Sequence, residues 1–238
     1  MTREHDRIEY GSHVVDYTVA RRVRRTLEIA VEPDMTVSVA APMKASSEAI
    51  RAKVRKRAGW ILAQKRFFEQ FAPRSPEKRY LSGESHLYLG RQYRLKVVKS
   101  EFPSTRLFHG RIFVQTRHPE NRMETKRLLD QWYADKARAK FIERIETCLQ
   151  HFPRPALVTP SSLTIRYMRK RWGSMSDGKR LLLNLRLIQA PIDAIDYVIT
   201  HELCHVLQPS HSPAFFRMMG RMMHDWQKRK VRLEQFLA

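Results

Sequence analysis

Residues 191–211, "PIDAIDYVITHELCHVLQPSH", leave the chain little freedom in how it folds. Pro191 suits the first position of a helix, and Pro209 cannot continue one. Between them lies a helix carrying three histidines and a glutamate near its end. Successive helical residues turn by about 100°, so His201 and His205 share a face roughly 40° apart and about 6 Å along the axis, with Glu202 beside them. His211 is too far along for that face if the helix runs on. Gln208 and Pro209 interrupt it and let the chain fold back, which supplies a third imidazole.

Three neutral histidines leave a bound divalent ion its full charge and one open corner of a tetrahedron, the arrangement expected of a catalytic rather than a structural zinc. Such an ion lowers the pKa of water from about 15.7 to about 7. On this reading His201, His205 and His211 are the metal ligands, Zn2+ is the cofactor, and Glu202 is not a ligand but the general base. The reaction implied is amide hydrolysis. The competing explanation, histidines bonded to backbone carbonyls, suits a lone histidine better than this constellation. Cys204 points about 100° away from His205 and reads as a small buried residue rather than a nucleophile. Met218, Met219, Met222 and Met223 step by threes and fours alongside Phe215 and Trp226, as in a packed helix.

Upstream, "TLEIAV" and "TVSVAAP" alternate around the turn-like "EPDM" and read as a hairpin. Ser46 or Ser47 then caps a basic helix over about 47–68, with Ile50, Val54, Ala58, Ile61 and Phe68 on its apolar face. A break at "APRSPEKR" precedes "YLGRQYRLKVV", where Tyr93, Leu95 and Val97 alternate, and "RLFHGRIFV", read as strand, Gly110 turn and strand. From about Pro119 a long amphipathic helix shows the stripe Leu128, Trp132, Ala139, Ile142, Ile145, Leu149 and Phe152. "LTIRY" and "RLLLNLRL" read as two strands joined by "SMSDGK". Ser212 and Pro213 open a further helix, "SPAFFRMMGRMMHDW". No internal repeat is evident.

The 238 residues suffice for a real core, as one large domain or two small ones. Cys148 and Cys204 are the chain's two cysteines, and no disulfide framework suggests secretion. With no signal-peptide pattern and no apolar run long enough to span a bilayer, the expectation is a cytoplasmic protein with no membrane partner. The 45 Lys and Arg against 24 Asp and Glu give a formal charge of +21. A surface of that sign attracts polyanions, and the basic helix is the expected place. This supports an alternative from another class: a nucleic-acid-binding protein whose metal site is structural or secondary, or a DNA-associated protease combining the two.

The block "KRWGSMSDGKRLLLNLRLIQAPIDAIDYVITHELCHVLQPSHSPAFF" resembles the core of the YgjP-like metallopeptidases, zincin-type hydrolases distantly related to the SprT-like and WLM-type proteases. "RRVRRTLEIAV", "VSVAAP", "RAGWIL" and "YLGRQYRL" are similar to the family's N-terminal blocks. The resemblance runs over about 16–235, with a strand and helix part at about 16–115 and a catalytic core at about 120–235. It implies an α+β zincin-like fold: a small sheet and an active-site helix, preceded by a strand-rich segment with a basic helix. It also implies peptide or protein substrates, and the same roles for His201, His205, His211 and Glu202. Two positions depart from the pattern. Met175 stands where the family has cysteine in "WGSCS", and Ser210 where asparagine is common. "LLLNLRL" is the expected edge strand for pairing with an extended substrate. Arg169, Arg171 and Trp172 are candidate rim residues, and Tyr167, Arg171 and His224 are candidate donors to a transition-state oxyanion.

Overall fold

The computed structural model describes residues 4–32, 34–69, 78–168 and 171–237. Arg169, most of the "APRSPEKR" break, one residue of the "EPDM" turn and the Phe68 side chain lie outside what is described. By compactness the chain divides into one unit ending at 75 and another spanning 76–237.

The first unit is a four-stranded sheet with two short helices on one face. Strands β1 (Glu4–Tyr10), β2 (His13–Arg22), β3 (Glu28–Val31) and β4 (Val37–Pro42) lie in the order β1-β2-β4-β3. The expected hairpin is β3 with β4, in the register Ile29↔Val39. Alternation buries Val15, Tyr17, Val19, Val37 and Val39 on one face. Helices α1 (Ser47–Lys56) and α2 (Ala58–Glu69) cover that face with Ile50, Val54, Ala58 and Ile61. Ser46 is the N-cap, its hydroxyl accepting from Ala49 N–H. The single basic helix expected from sequence is two, because the chain leaves helical geometry at Arg57.

The second unit opens with the same strand pattern. Strands β5 (Ser85–Tyr88), β6 (Arg91–Lys99), β7 (Ser104–Phe108) and β8 (Arg111–Thr116) lie in the order β5-β6-β8-β7. In both sheets two hairpins are joined through a parallel pair, β2 with β4 and β6 with β8, and a helix follows. The repeat is therefore in topology and not in sequence. His109 and Gly110 both take positive φ, the two-residue turn that suits hairpin twist. The strands at 85–116, grouped from sequence with the N-terminal part, bury Leu95, Ile112 and Val114 in the core that α3 (Arg122–Leu149) also lines. They belong with the second unit.

The buried face of α3 runs through Thr125, Leu129, Trp132, Tyr133, Ala137, Phe141, Ile145 and Cys148. Ala139 and Ile142, expected in the stripe, are exposed. The actual stripe is displaced because α3 packs both on its own sheet and on the motif helix, α5 (Ile192–His205), and small or polar residues take the closest approaches. Arg144 makes a bidentate ion pair with Asp196 of α5, both bonds 2.7 Å.

After the short α4 (Pro155–Val158), a three-stranded sheet underlies α5: β9 (Ser162–Arg166), β10 (Gly173–Met175) and β11 (Arg180–Asn184), ordered β10-β11-β9. Here the structure corrects the sequence reading twice. "SMSDGK" does not join "LTIRY" to "RLLLNLRL"; those strands, β9 and β11, are parallel, and the turn instead brings β10 back antiparallel on β11. "LLLNLRL" is consequently not an edge. β11 is the middle strand, its continuation Leu185–Gln189 is a 3-10 turn, and the edge beside α5 is β10. A three-residue strand has too little alternation to announce itself in sequence. Asn184, 1% exposed, closes the arrangement, its side chain donating to the carbonyls of Met168 and Arg171 and accepting from Arg186 N–H.

Helix α6 (Pro213–Met222) starts on Ser212, whose hydroxyl accepts from Phe215 N–H, and α7 (Trp226–Leu237) follows. The expected helix through Trp226 ends early, at Met222. Met218, Met219 and Met223 are core residues. Among the described residues no helix is long and apolar enough to cross a membrane.

Candidate metal centre and its cleft

Helix α5 is buried along nearly all its length, which its apolar sequence requires, and its C-terminal turn opens into a cleft of about 700 Å³. His201 and His205 stand on that turn. The chain leaves the helix at Val206, and Pro209 directs it back so that His211 meets them. The Nε2 atoms of His205 and His211 lie 3.2 and 2.9 Å from that of His201. The structure thus brings together all three predicted imidazoles.

The grouping is held from behind. Phe215, fully buried on α6, packs its ring 4.9, 4.6 and 4.9 Å from the rings of His201, His205 and His211. His205 Nδ1 lies 3.1 Å from the Gln208 carbonyl. Because a carbonyl only accepts, that contact places the proton on Nδ1 and frees the Nε2 lone pair. Burial, then the neighbouring His205 and His211, lowers the His201 pKa to about 3, so its ring is neutral. Burial likewise lowers His211.

These residues fit a divalent ion. Nitrogen ligands about 2.0–2.1 Å from a tetrahedral centre stand roughly 3.3 Å apart, close to the observed separations. Neutral imidazoles suit zinc and other first-row ions.

Glu202 points the other way round the helix, toward β10. It is 7% exposed, receives the Met175 N–H and reaches the cleft. Burial raises its pKa to about 7 against the opposing pull of that N–H and of Arg171. The fit to β10 is tight: a Cβ on Gly173 would come within 2.7 Å of Glu202 Cγ and Oε1. Glycine at 173 is thus what lets the carboxylate lie flat on the strand.

Met175 contributes its backbone N–H here, so this contact does not depend on the side chain at position 175. Of the rim candidates, Arg171 and Trp172 line the cleft. Tyr167 is 61% exposed and His224 is exposed, and neither lines it. Sequence reasoning missed Tyr197. It lies one turn before His201, on the same helical face, with its ring centroid 5.9 Å from that of His201 and stacked 6.4 Å from Trp226. It is 8% exposed and lines the cleft, and its hydroxyl bonds to no described residue. Burial, with Glu234 and Glu202 nearby, raises its pKa, so it stays a donor. The i−4 spacing from His201 was the available signal. Cys204 is fully buried with its sulfur 3.9 Å from that of Met219, and burial pushes its thiol up to about 12, which excludes an activated thiolate.

No curated protein and no solved structure matches the chain. A family model described as "YgjP-like, metallopeptidase domain" matches residues 25–236. That span covers most of both compact units and all of the histidine centre, and a metal-dependent peptidase is what the cleft, the imidazoles and the edge strand together suit. The chain is a member of the YgjP-like metallopeptidases.

Proposed function

We propose that the protein is a zinc-dependent peptidase in which His201, His205 and His211 hold the ion and Glu202 is the general base. The observation that carries this reading is the convergence of three lone pairs at 2.9–3.2 Å in a cleft that also receives a buried carboxylate. When bound, the ion supplies Lewis acidity to the scissile carbonyl and to water. An extended substrate pairs with the edge of β10, which fixes backbone position while reading little side-chain sequence. Glu202 Oε accepts the proton of the attacking water and returns it to the leaving amine. Tyr197 donates its free hydroxyl to the oxygen on which charge develops, a role for which Arg171 is the other cleft-lining candidate.

Freshly purified, unchelated protein is expected to carry about one zinc per chain. A peptide library should be cut by the wild type, spared after chelation, and spared by Glu202→Gln with its metal retained. Absence of any stoichiometric transition metal would end this reading. Tyr197→Phe is expected to lower kcat about 10- to 100-fold while leaving metal content unchanged.

A further inference from the structure

The outer face of the second unit's sheet bears a composition that neither the core nor the cleft requires. Leu95, Ile112 and Val114 point inward, with Thr105 and Leu107, so alternation turns Arg94 and Lys96 of β6, Arg111, Phe113 and Gln115 of β8, and Ser104, Arg106 and Phe108 of β7 outward. Register assembles them into rows: Arg94, Arg111 and Phe108 in one, and Lys96, Phe113 and Arg106 in the next. Each row places an aromatic ring beside two cations. The remaining outward positions are Ser85 and Leu87 of β5 with Gln92 and Val98 of β6, so no carboxylate lies on this face. None of the four cations forms an ion pair with a described carboxylate. Arg94 donates to the Gly83 carbonyl, and the Arg106 guanidinium lies 5.4 Å over the Phe108 ring.

Phe108 is 50% exposed, although a ring of that size would ordinarily be covered. Its centroid lies 6.3 Å from Phe113 and 4.0 Å from the His109 ring, so it is braced rather than free. An exposed ring, Phe108, and a partly exposed one, Phe113, held on a strand face and flanked by arginine and lysine without ion-pair partners, match the chemistry of unstacked bases on a phosphate backbone. A duplex fits less well, because its bases are already stacked on one another and offer the rings no free face. Nor does an acidic protein surface account for the rings.

We propose that this face binds a single-stranded nucleic acid, with bases stacked on Phe108, Phe113 and the Arg106 plane and phosphates on Arg94, Lys96 and Arg111. The site is distinct from the histidine cleft and places the polyanion surface on the sheet rather than on the basic helices α1 and α2. Charge complementarity selects the occupant. The four cations lie together here without a counter-ion and in rows with Phe108 and Phe113, whereas on α1 Arg51 is paired with Asp6 and Lys53, Arg55 and Lys56 project from a helix with no aromatic ring in it.

The test is fluorescence anisotropy of a labelled 15-mer of oligo(dT), the matching oligo(U) and a 15-base-pair duplex, titrated with full-length protein between 50 and 300 mM salt. Both single strands are expected to bind more tightly than the duplex. Phe108→Ala should weaken single-strand binding about tenfold with an unchanged salt slope, since stacking rather than charge is removed. Arg94→Gln/Lys96→Gln/Arg111→Gln should reduce the slope of log K against log salt by about 2, since each phosphate contact contributes about 0.7. Lys53→Gln/Arg55→Gln/Lys56→Gln removes equal charge from α1 and should leave both nearly unchanged. Glu202→Gln should bind normally, which separates this site from the peptidase reading. The side chains substituted on the sheet and on α1 are exposed, Glu202→Gln is isosteric at a buried position, and unchanged circular dichroism checks the fold of each variant. No binding at 50 mM salt, an α1 variant as weak as the sheet variant, or full binding by Phe108→Ala would each overturn the proposal.

Discussion

Two sheets in this chain have the same strand order and the same parallel centre, yet their surroundings are put to different use. The first buries its inner face under α1 and α2 in a self-contained core. Its outer face mixes signs, with Arg7 directly across from Asp16 and with Glu9 and Glu28 nearby. The second lays its inner face against α3, which passes that support on to α5 through Phe141, Ile145 and the Arg144–Asp196 pair, while its outer face is basic and aromatic. Strand order, then, sets where the layers lie, and the side chains on each face decide what the layer serves. A shared fold carries no functional information by itself.

If α3 were only the second copy of the α1–α2 layer, its substitutions would leave the centre alone. Phe141→Ala should instead cost about 3–5 kcal/mol by opening a cavity in the core shared with α5, and metal affinity should fall with stability in a chemical-denaturation and zinc-titration series. Ile50→Ala, in the first unit's core, should leave metal affinity unchanged; an equal effect of both on zinc binding would break the contrast. Arg144→Ala strands a buried Asp196 and should destabilise by about 3 kcal/mol, with Asp196→Asn in the same background recovering part of the loss. Gly173→Ala tests the cleft side of the second unit: a Cβ there must displace the Glu202 carboxylate, so peptide cleavage should drop about 100-fold with zinc content intact.

The smallest effect belongs to the first sheet. Asp6 accepts from the Arg51 guanidinium and the Tyr17 hydroxyl, and Arg51 above all holds its pKa at about 2, below the ordinary 3.8. A carboxylate with a lowered folded pKa stabilises the fold above 3.8 and loses that contribution as pH falls toward 2. Asp6→Asn should therefore lower stability modestly at neutral pH, where the contribution is fully present, and flatten the acid limb of the stability curve between those values. A limb unchanged by the substitution would show that the pair does not matter in solution.

Much of this was legible in the sequence where local chemistry decides structure. Ser46 and Ser212 cap helices as their types predict, and Pro191 and Pro209 bound the motif helix. The three imidazoles converge as their spacing implies. What escaped was set by partners distant in sequence. The buried stripe of α3 depends on α5 lying against it, which is why Ile142 is 46% exposed and Ala137 is fully buried. Nor does β10 exist without β11 to pair with, so the true edge of this sheet is not visible in the local pattern of residues. Tyr197 looks like any apolar helix residue until the cleft beside it is seen. The twofold strand pattern left no trace because pairing order does not require similar residues.

One contact bears on how this centre tolerates mutational drift. The group that orients His205 is the main-chain oxygen at position 208, so the identity of residue 208 can change without touching the imidazole. An insertion or deletion of a single residue between 206 and 211 has no such latitude, for it would carry the oxygen off its nitrogen and swing His211 out of reach at once. In lineages of this chain, spacing here is expected to be kept more strictly than lettering.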